Sequence, residues 1–577
     1  LIYINALFIF LSLVPHHLGF QNWYQKILKT VFYLFNLPAI LLAVIDLEFY
    51  EYTLRRSTAD LKGYANDFSQ QLSQYLLDFW YLIAAMLLIV VFMEWLYRKT
   101  KTTELSGETP LLGQVVVFIV SIGLIVIGSR GGLQARPIST INAFDYSETQ
   151  YSDLILNTPF VFLHSLQHHS LKELNYFPSE KLSQIFDPCK YESNNDTSLN
   201  QQSFEAKNVF VIILESFSTD FLGSYGSNKT CTPFLDSLAN HSTVFKNMYS
   251  NGSRSVDGIA SIMGSIPNLS NEYFIHSNYA TNNIDGLGSL LKRKGYETAF
   301  FHGADNSSFN IKSFVSKAGF DNYFGEDEYN NNNDHDGSWG IYDHKFFPYT
   351  IDNVSKFNEP FIAGLFSLSS HHPYKLPKDY DLSNQSEYSE IENSVRYTDK
   401  ALGQFFYLAK EKDWYKNTLF VITADHRNYS YSKQRNSDYS FKIPLFFFDP
   451  SINESIVVEN TVQHIDILPG IMENLKYDLP YCSFGNQLIN SDRHEAFHRY
   501  LDKFVLIDDE LTLHYHHGDK FFFYDHNIDP FYQNDITDDL PKIRKDNMIY
   551  RLQAIKQQFN NSMIKTTLSY KTRQTAN

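Results

Sequence analysis

The segment Lys207 to Leu269, KNVFVIILESFSTDFLGSYGSNKTCTPFLDSLANHSTVFKNMYSNGSRSVDGIASIMGSIPNL, decides the fold. It opens on an apolar, β-branched run, Val209 to Leu214, with the length and composition of a fully buried strand, and the run stops on a carboxylate, Glu215. In open α/β sheets ligands collect outside the carboxyl ends of the strands, so Glu215 is expected at the rim of a pocket. A solvated acid capping the strand is the plainer alternative. Farther on, the small polar loop Ser250-Asn251-Gly252-Ser253-Arg254-Ser255 precedes a helical run from Val256 to Met263. That puts Ser255 near a helix N-terminus, where unpaired N–H groups and the helix dipole favour an alkoxide or a bound phosphate. Ser255 is thus a candidate nucleophile, with a simple N-cap as the alternative.

A third piece has the same design as the first. Thr418-Leu-Phe-Val-Ile-Thr-Ala-Asp425-His426 reads as a buried strand that ends on a carboxylate and an imidazole. Such ligands suit zinc or manganese, and a serine hydroxyl coordinated beside them loses its proton near neutral pH.

With Glu215, Ser255 and Asp425-His426 in that order, the chain resembles the alkaline phosphatase and sulfatase superfamily. Within it the likeness is to the membrane-bound branch of lipoteichoic acid synthases and phosphoglycerol transferases. The resemblance implies an α/β fold: transmembrane helices, then an α/β/α sulfatase-like domain with a small C-terminal sheet. It implies that Glu215, Ser255, Asp425 and His426 hold one divalent metal, with manganese first and zinc or magnesium as alternatives. Ser255 stands where this branch has a threonine that binds the metal and attacks phosphorus, a departure that keeps the hydroxyl. His371, in Ser369-Ser-His371-His372-Pro-Tyr, matches the histidine that protonates or stabilises the leaving group; a surface pair before a proline turn is the bland reading of His371 and His372.

His302, Asn306, Phe309 and Asn310, in FFHGADNSSFN, align with the loop that holds the glycerol-phosphate headgroup, and Arg254 and His372 are further candidate substrate contacts. The relatives carry a Trp and an Arg in that loop where this chain has Phe309 and Ile311. The neighbouring Lys312 is a point charge without arginine's bidentate fork.

The chain is 577 residues long, enough for more than one domain, and its formal charge of −16 argues against a nucleic-acid partner. Four apolar stretches, residues 1–14 (read as truncated), 31–49, 75–97 and 111–128, have lengths broadly suited to membrane helices, where a signal peptide would show one. Arg98, Lys99 and Lys101 mark the loop before the last span as cytoplasmic and send everything after Gly131 outside, although Arg55, Arg56 and Lys62 then lie outside against the positive-inside rule. Four spans also put Leu1 outside. One further helix before it would match the five-helix pattern of the resembled family.

The expected organisation is a transmembrane region at 1–130, a juxtamembrane connector at 131–206 ending in a flexible linker at 192–203, a catalytic core at 207–475 and a C-terminal subdomain at 476–577. Strands are expected at 298–301, 361–366, 419–423 and 443–448, with amphipathic helices at 284–294 and 394–409. This alternation implies a mostly parallel sheet. The runs around Leu506 and Phe523 read as the small sheet and 543–559 as a closing helix. Cys189, Cys231 and Cys482 form no zinc pattern; one pair could bond outside the cell, and the sequence does not say which. After His426 the next histidine, His464, reads with Asp466 as a helix start rather than a second metal cluster.

A sulfatase would carry a Cys/Ser-x-Pro-x-Arg pattern, and after Ser255 neither the Pro nor the Arg is present. Phosphodiesterases and phosphoethanolamine transferases are rivals within the same superfamily, and a decayed membrane scaffold or sensor is the non-enzymatic one. The function expected from the resemblance is a phosphoglycerol, or related headgroup, transferase working through a phospho-serine intermediate. Its expected partners are phosphatidylglycerol, a glycan or glycolipid acceptor and the bilayer, with the catalytic domain on the extracytoplasmic side.

Overall fold

The computed structural model describes residues 2–13, 22–53, 55–59, 77–99, 111–134, 136–147, 151–189, 203–378, 380, 382–428, 441–452, 454–516, 518 and 520–576. The linker expected at 192–203, apart from its last residue, and the basic residues Lys62 and Lys101 lie outside them. The chain forms two compact units, one of Leu1–Ser170 with His276–Thr281, the other of Leu171–Ile275 with Asn282–Asn577.

The first unit is helical: α1 (Ile2–Ser12), α2 (Asn22–Thr53), α3 (Trp80–Lys99), α4 (Leu111–Arg130), and the short α5 (Ser152–Ile155) and α6 (Thr158–Ser165). Helices α2, α3 and α4 are long and apolar enough to cross a membrane, while α1 is a shorter apolar helix. Their polar residues pair with one another. Asn5 and Asn36 exchange hydrogen bonds of 3.2 and 2.7 Å, and Glu94 takes Lys29 at 2.9 Å, Tyr33 at 2.8 Å and Arg98 at 2.8 Å. Lys29 and Tyr33 lie near the start of α2 and Glu94 near the end of α3, while Tyr81 at the start of α3 bonds Glu48 near the end of α2, so the two helices run antiparallel. Arg56, expected to offend the positive-inside rule, is paired with the buried Asp46 at 2.8 Å and carries no net charge into that loop.

The second unit is built on an eight-stranded sheet: β1 (Asn208–Leu214), β2 (Thr243–Tyr249), β3 (Glu297–His302), β4 (Asn322–Phe324), β5 (Phe361–Phe366), β6 (Thr418–Ala424), β7 (Leu445–Phe448) and β8 (Ile456–Gln463), in the order β4-β3-β5-β1-β6-β7-β2-β8. Strands β4, β3, β5, β1 and β6 are parallel, β7 is antiparallel to both its neighbours, and β2–β8 is parallel again. Every residue of β1, β5 and β6 is buried, which is why these strands read as unbroken apolar runs. Phe210 of β1 packs against Phe405 at 5.2 Å and Phe420 at 5.8 Å in the aromatic core.

Three helices set the site. α7 (Ser255–Gly264) follows β2, α8 (Asp343–Val354) precedes β5, and α9 (Glu390–Ala409) precedes β6. α9 starts four residues earlier than its apolar periodicity suggests. The cause is a capping box: Glu392 accepts from the Ser389 amide at 2.7 Å, and Ser389 Oγ accepts from the Glu392 amide. The C-terminal sheet is antiparallel, β9 (Ala496–Tyr500), β10 (Lys503–Ile507), β11 (Leu511–His516) and β12 (Lys520–Asp525), and the helix Lys542–Lys565 follows it. Cys189 bonds Cys482, and Cys231 is a free, buried thiol.

Candidate active site at the carboxyl end of the central strands

The parallel register of β1 and β6 pairs Leu214 with Ala424, so the next residues, Glu215 and Asp425, leave the sheet side by side. Glu215 is buried; its amide donates to Ser367 Oγ at 2.9 Å and its carbonyl accepts from Ser370 Oγ at 2.5 Å. Ser216, in the left-handed region at φ 57°, closes the turn: its amide donates to Asp425 Oδ1 at 2.8 Å and its hydroxyl to Glu215 Oε1 at 2.6 Å. Ligand atoms of Glu215, Asp425 and His426 lie within 4.8 Å of one another, the one such group among the described residues. Ser255 Oγ donates to Glu215 Oε2 at 3.3 Å.

Ser255 is the first residue of α7, and Arg254 rather than Ser255 is its N-cap. The loop before it is pinned by Asn251, whose side chain donates to Gln463 at 2.7 Å and to the Phe497 carbonyl at 2.8 Å and accepts from the Ile465 amide at 3.0 Å. His464 does start a helical turn, as expected, with Asp466 accepting from the Gln463 amide at 2.9 Å. Its buried ring accepts from the Asn251 amide through Nδ1 at 3.3 Å and meets the Ala424 carbonyl through Nε2 at 2.7 Å. These two contacts fix the neutral tautomer protonated on Nε2.

The donor set fits a divalent cation. His426 Nδ1 faces the Arg427 carbonyl at 3.0 Å and must carry a proton to bond it. Neutral His426 therefore aims its Nε2 lone pair at carboxylate oxygens, Asp425 Oδ2 at 3.3 Å and Glu215 Oε1 at 3.8 Å. Acceptors facing acceptors repel, and Asp425 Oδ2 is buried without a hydrogen-bond partner. Burial first, and then the Glu215 charge, pushes the Asp425 carboxyl up to about 7. For His426 burial pulls the pKa down, but the two carboxylates outweigh it and leave it raised. Both shifts mark a cluster that calls for positive charge.

His371 lies in the loop after β5. Its Nδ1 bonds the His372 carbonyl at 2.8 Å, and burial lowers its pKa against the opposing pull of that bond and of Asp425. Its ring rests 4.0 Å from Trp339, whose indole N–H donates to the same His372 carbonyl at 2.6 Å, while Phe309 stacks on Trp339 at 6.3 Å. Phe309 and Asn310 both take left-handed backbone, at φ 53° and 59°, a strained pair of the kind found where a site holds a side chain in place. The His372 ring is exposed against Tyr374. Asn306 is tied to Glu328 at 2.9 and 3.0 Å, and His302 is buried, stacked on Phe366 at 4.9 Å with Nδ1 3.1 Å from the Tyr323 hydroxyl. The Arg254 side chain is exposed, and its charge depresses the pKa of both His371 and His426.

Trp339 and Asp343 were not legible as site residues. Asp343, at the start of α8, accepts from the Leu368 amide at 2.9 Å, the Ser369 amide at 3.2 Å and Thr398 Oγ1 at 2.9 Å, so it holds the loop that delivers Ser370 and His371. The short run Trp339-Gly-Ile-Tyr-Asp343 was the available signal, an aromatic and an acid in a turn before a helix.

Comparison with known proteins bears on the fold that carries these residues. The Sulfatase family profile matches residues 207–477. The chain is 23% identical over 448 residues to lipoteichoic acid synthase 2 of Bacillus subtilis, covering 73% of this chain and 67% of that protein. It is 28% identical over 320 residues to lipoteichoic acid synthase 1 of the same organism, covering 51% and 50%. The chain thus spans about half to two thirds of the length of these relatives. In solved structures it resembles a protein of the alkaline phosphatase superfamily from Vibrio parahaemolyticus, at TM-score 0.59 and 22% identity over 68% of this chain and 98% of that one. A lipoteichoic acid synthase from Listeria monocytogenes gives TM-score 0.54 and 22% identity over 67% and 99%. Residues 207–477 therefore match the Sulfatase family profile and share their fold with the alkaline phosphatase superfamily protein from Vibrio parahaemolyticus, in a chain similar to the lipoteichoic acid synthases.

Proposed function

We propose that the chain is a metal-dependent transferase that moves a phosphoglycerol, or closely related, headgroup from a membrane phospholipid, phosphatidylglycerol first, to a hydroxyl of a glycan or glycolipid. The observation that carries this reading is the convergence of Glu215, Ser255, Asp425 and His426 at the ends of two adjacent parallel strands and one helix. A divalent metal held by these four residues, manganese first, would supply the Lewis acidity that lowers the serine hydroxyl's pKa and offsets charge on the phosphoryl oxygens.

Ser255 Oγ attacks phosphorus; the Oγ–P bond forms and the bond from phosphorus to the diacylglycerol oxygen breaks. The proton lost by Ser255, whose hydroxyl already points at Glu215 Oε2, is balanced by the one the diacylglycerol oxygen gains. The amide groups at the start of α7 face the same charge. With Nδ1 engaged by the His372 carbonyl, His371 works through Nε2, giving a proton to the leaving oxygen and recovering one from the acceptor hydroxyl in the second transfer. Its lowered pKa suits it to the accepting half of that cycle. Phe309, Trp339 and His371, packed in series, support an aromatic wall for the glycerol, whereas His302 is buried against Phe366 and Asn306 is tied to Glu328. Ile311 is buried and Lys312 sits over the Tyr323 ring at 5.6 Å, which supports Arg254, next to Ser255, as the cation that meets the phosphate.

What supports an extracytoplasmic catalytic domain is the basic cluster of Lys29, Arg98 and Lys99 at one end of α2 and α3, which exceeds the single Glu94 paired with it. The test is to incubate the purified chain with fluorescent phosphatidylglycerol and phosphatidylethanolamine, with and without chelator, and to measure diacylglycerol. Release from phosphatidylglycerol, lost on chelation and restored by manganese, is expected. Release from phosphatidylethanolamine alone would move the donor, and release from neither would favour a non-enzymatic scaffold.

A further inference from the structure

The short helix α5 in the helical unit is inverted relative to a helix that faces water. Its polar residues point inward: Ser152 is buried, and Asp153 is gripped twice, its Oδ2 by the Tyr50 hydroxyl at 2.7 Å and its carbonyl by Arg56 Nε at 2.9 Å and Nη2 at 2.6 Å. Its apolar residues point outward, with Leu154 78% exposed, Ile155 47% and the preceding Tyr151 53%. Tyr146 is also 76% exposed, and Leu133, just past the end of α4, is 85% exposed, while Ile141, Ala143 and Phe144 between them are buried.

The grip is itself anchored in the helices. Arg56 pairs with Asp46, whose fully buried carboxylate also takes the Ser57 amide at 2.6 Å and the Thr158 hydroxyl at 2.7 Å. Tyr50, Asp46 and Arg56 belong to the last turns of α2 and the residues just beyond, and α4 runs parallel to α2: Tyr24 at the start of α2 bonds the Leu11 carbonyl at the end of α1, and Ile2 at the start of α1 abuts Gly128 near the end of α4. The outward apolar residues thus follow directly on two spanning helices, with Leu133 three residues past α4 and α5 tied to the end of α2, and both helices expose apolar residues of their own, Leu47 on α2 and Ile119 and Leu124 on α4. A satisfied polar interior beneath an apolar exterior is stable where the solvent is lipid. Tyrosines beside aliphatics are the composition of the membrane–water interface.

We propose that Leu133, Tyr146, Tyr151, Leu154 and Ile155 form a platform that inserts into the interfacial layer of the bilayer, outside the spanning helices and clamped to them through Asp153, Arg56 and Asp46. The occupant is phospholipid. The proposal rests on α2, α3 and α4 being membrane spans, and the experiment separates the two.

Nitroxide spin labels are placed on Leu133→Cys, Tyr151→Cys and Leu154→Cys in the full chain, reconstituted in nanodiscs of phosphatidylglycerol and phosphatidylcholine. The parent chain, with its thiol at Cys231 buried, is the blank. Ile119→Cys on α4 reports the span, and Ile528→Cys, at an exposed position of the second unit, reports water. Collisions with oxygen should exceed those with a water-soluble nickel complex at 133, 151 and 154, as at 119, with the order reversed at 528. Nickel-dominated collisions at 133 and 154, as at 528, would overturn the platform while an oxygen-dominated 119 kept the spans. Labels at 133 and 154 immobilised and shielded from both relaxants would overturn it in favour of a protein partner or a second copy. A nickel-dominated 119 would overturn the spans and the platform together.

Discussion

Replacing Gly258 by alanine tests how helix α7, which begins at the proposed nucleophile Ser255, fits against Asp425 of the proposed metal site. Gly258 lies in the first turn of α7, and a Cβ built there would stand 2.3 Å from the Asp425 carbonyl oxygen and 2.9 Å from its carbonyl carbon, closer than real side-chain carbons come. Two effects oppose each other. Alanine in a helix is favoured over glycine by about 0.5–1 kcal/mol. Forcing a methyl into a packed site costs about 1–3 kcal/mol, at the upper end here because the obstacle is backbone and no flexible side chain can swing away. The net loss is about 2–2.5 kcal/mol, and it falls on Asp425, whose backbone must move. A shift of that size lowers an equilibrium constant about 30- to 70-fold. Titration of the metal-free protein with manganese, read by calorimetry, should show a drop in affinity within that range. The control is Gly403→Ala on α9, whose Cβ would meet only the Phe234 side chain at 3.3 Å; it should keep wild-type affinity and melt no lower. A Gly258→Ala protein that binds manganese as tightly as the wild type would refute the close approach of α7 to Asp425.

Other substitutions probe the remaining parts of the site. Ser255→Ala should abolish diacylglycerol release while the melting temperature holds, because Arg254 is the cap and the serine hydroxyl makes one bond to Glu215, a loss of about 1 kcal/mol. Ser255→Thr should retain turnover. Trp339→Ala removes the ring that braces His371 and the donor to the His372 carbonyl, so kcat should fall about 100-fold, as expected for a group displaced by about 1 Å, with partial recovery in Trp339→Phe. Burial holds His302 at about 3 and His464 at about 4, both below the unfolded value near 6.5. The unfolded chain then binds protons that the folded chain does not, so their contribution is fully present above pH 6.5 and is lost as pH falls toward 4. At pH 5 the loss is about 2 kcal/mol per histidine, and thermal melts of His464→Gln between pH 7 and 5 should show a shallower decline than the wild type.

The sequence alone determined the central strands, because β1, β5 and β6 are buried on both faces and are mostly apolar, the polar residues within them being Asn208, Thr418 and Thr423. Each run therefore stands out and is followed at once by a polar residue, Glu215, Ser367 or Asp425. It also put the candidate ligands, two acids, an imidazole and a helix-start hydroxyl, at the ends of those runs. Strand β2 escaped notice because it is only partly buried, and its Lys246 and Asn247 break the apolar pattern. What only the tertiary structure decided depends on contacts between distant parts of the chain. Gly258 admits the Asp425 backbone, Trp339 braces His371, Asp343 holds the loop after β5, and Arg56 is cancelled by Asp46. Cys189 finds Cys482 across 293 residues, a pairing that no local pattern encodes. A strand or helix is specified by its own periodicity, whereas a partner is specified by where the whole sheet places it, and that placement is a property of the packed chain.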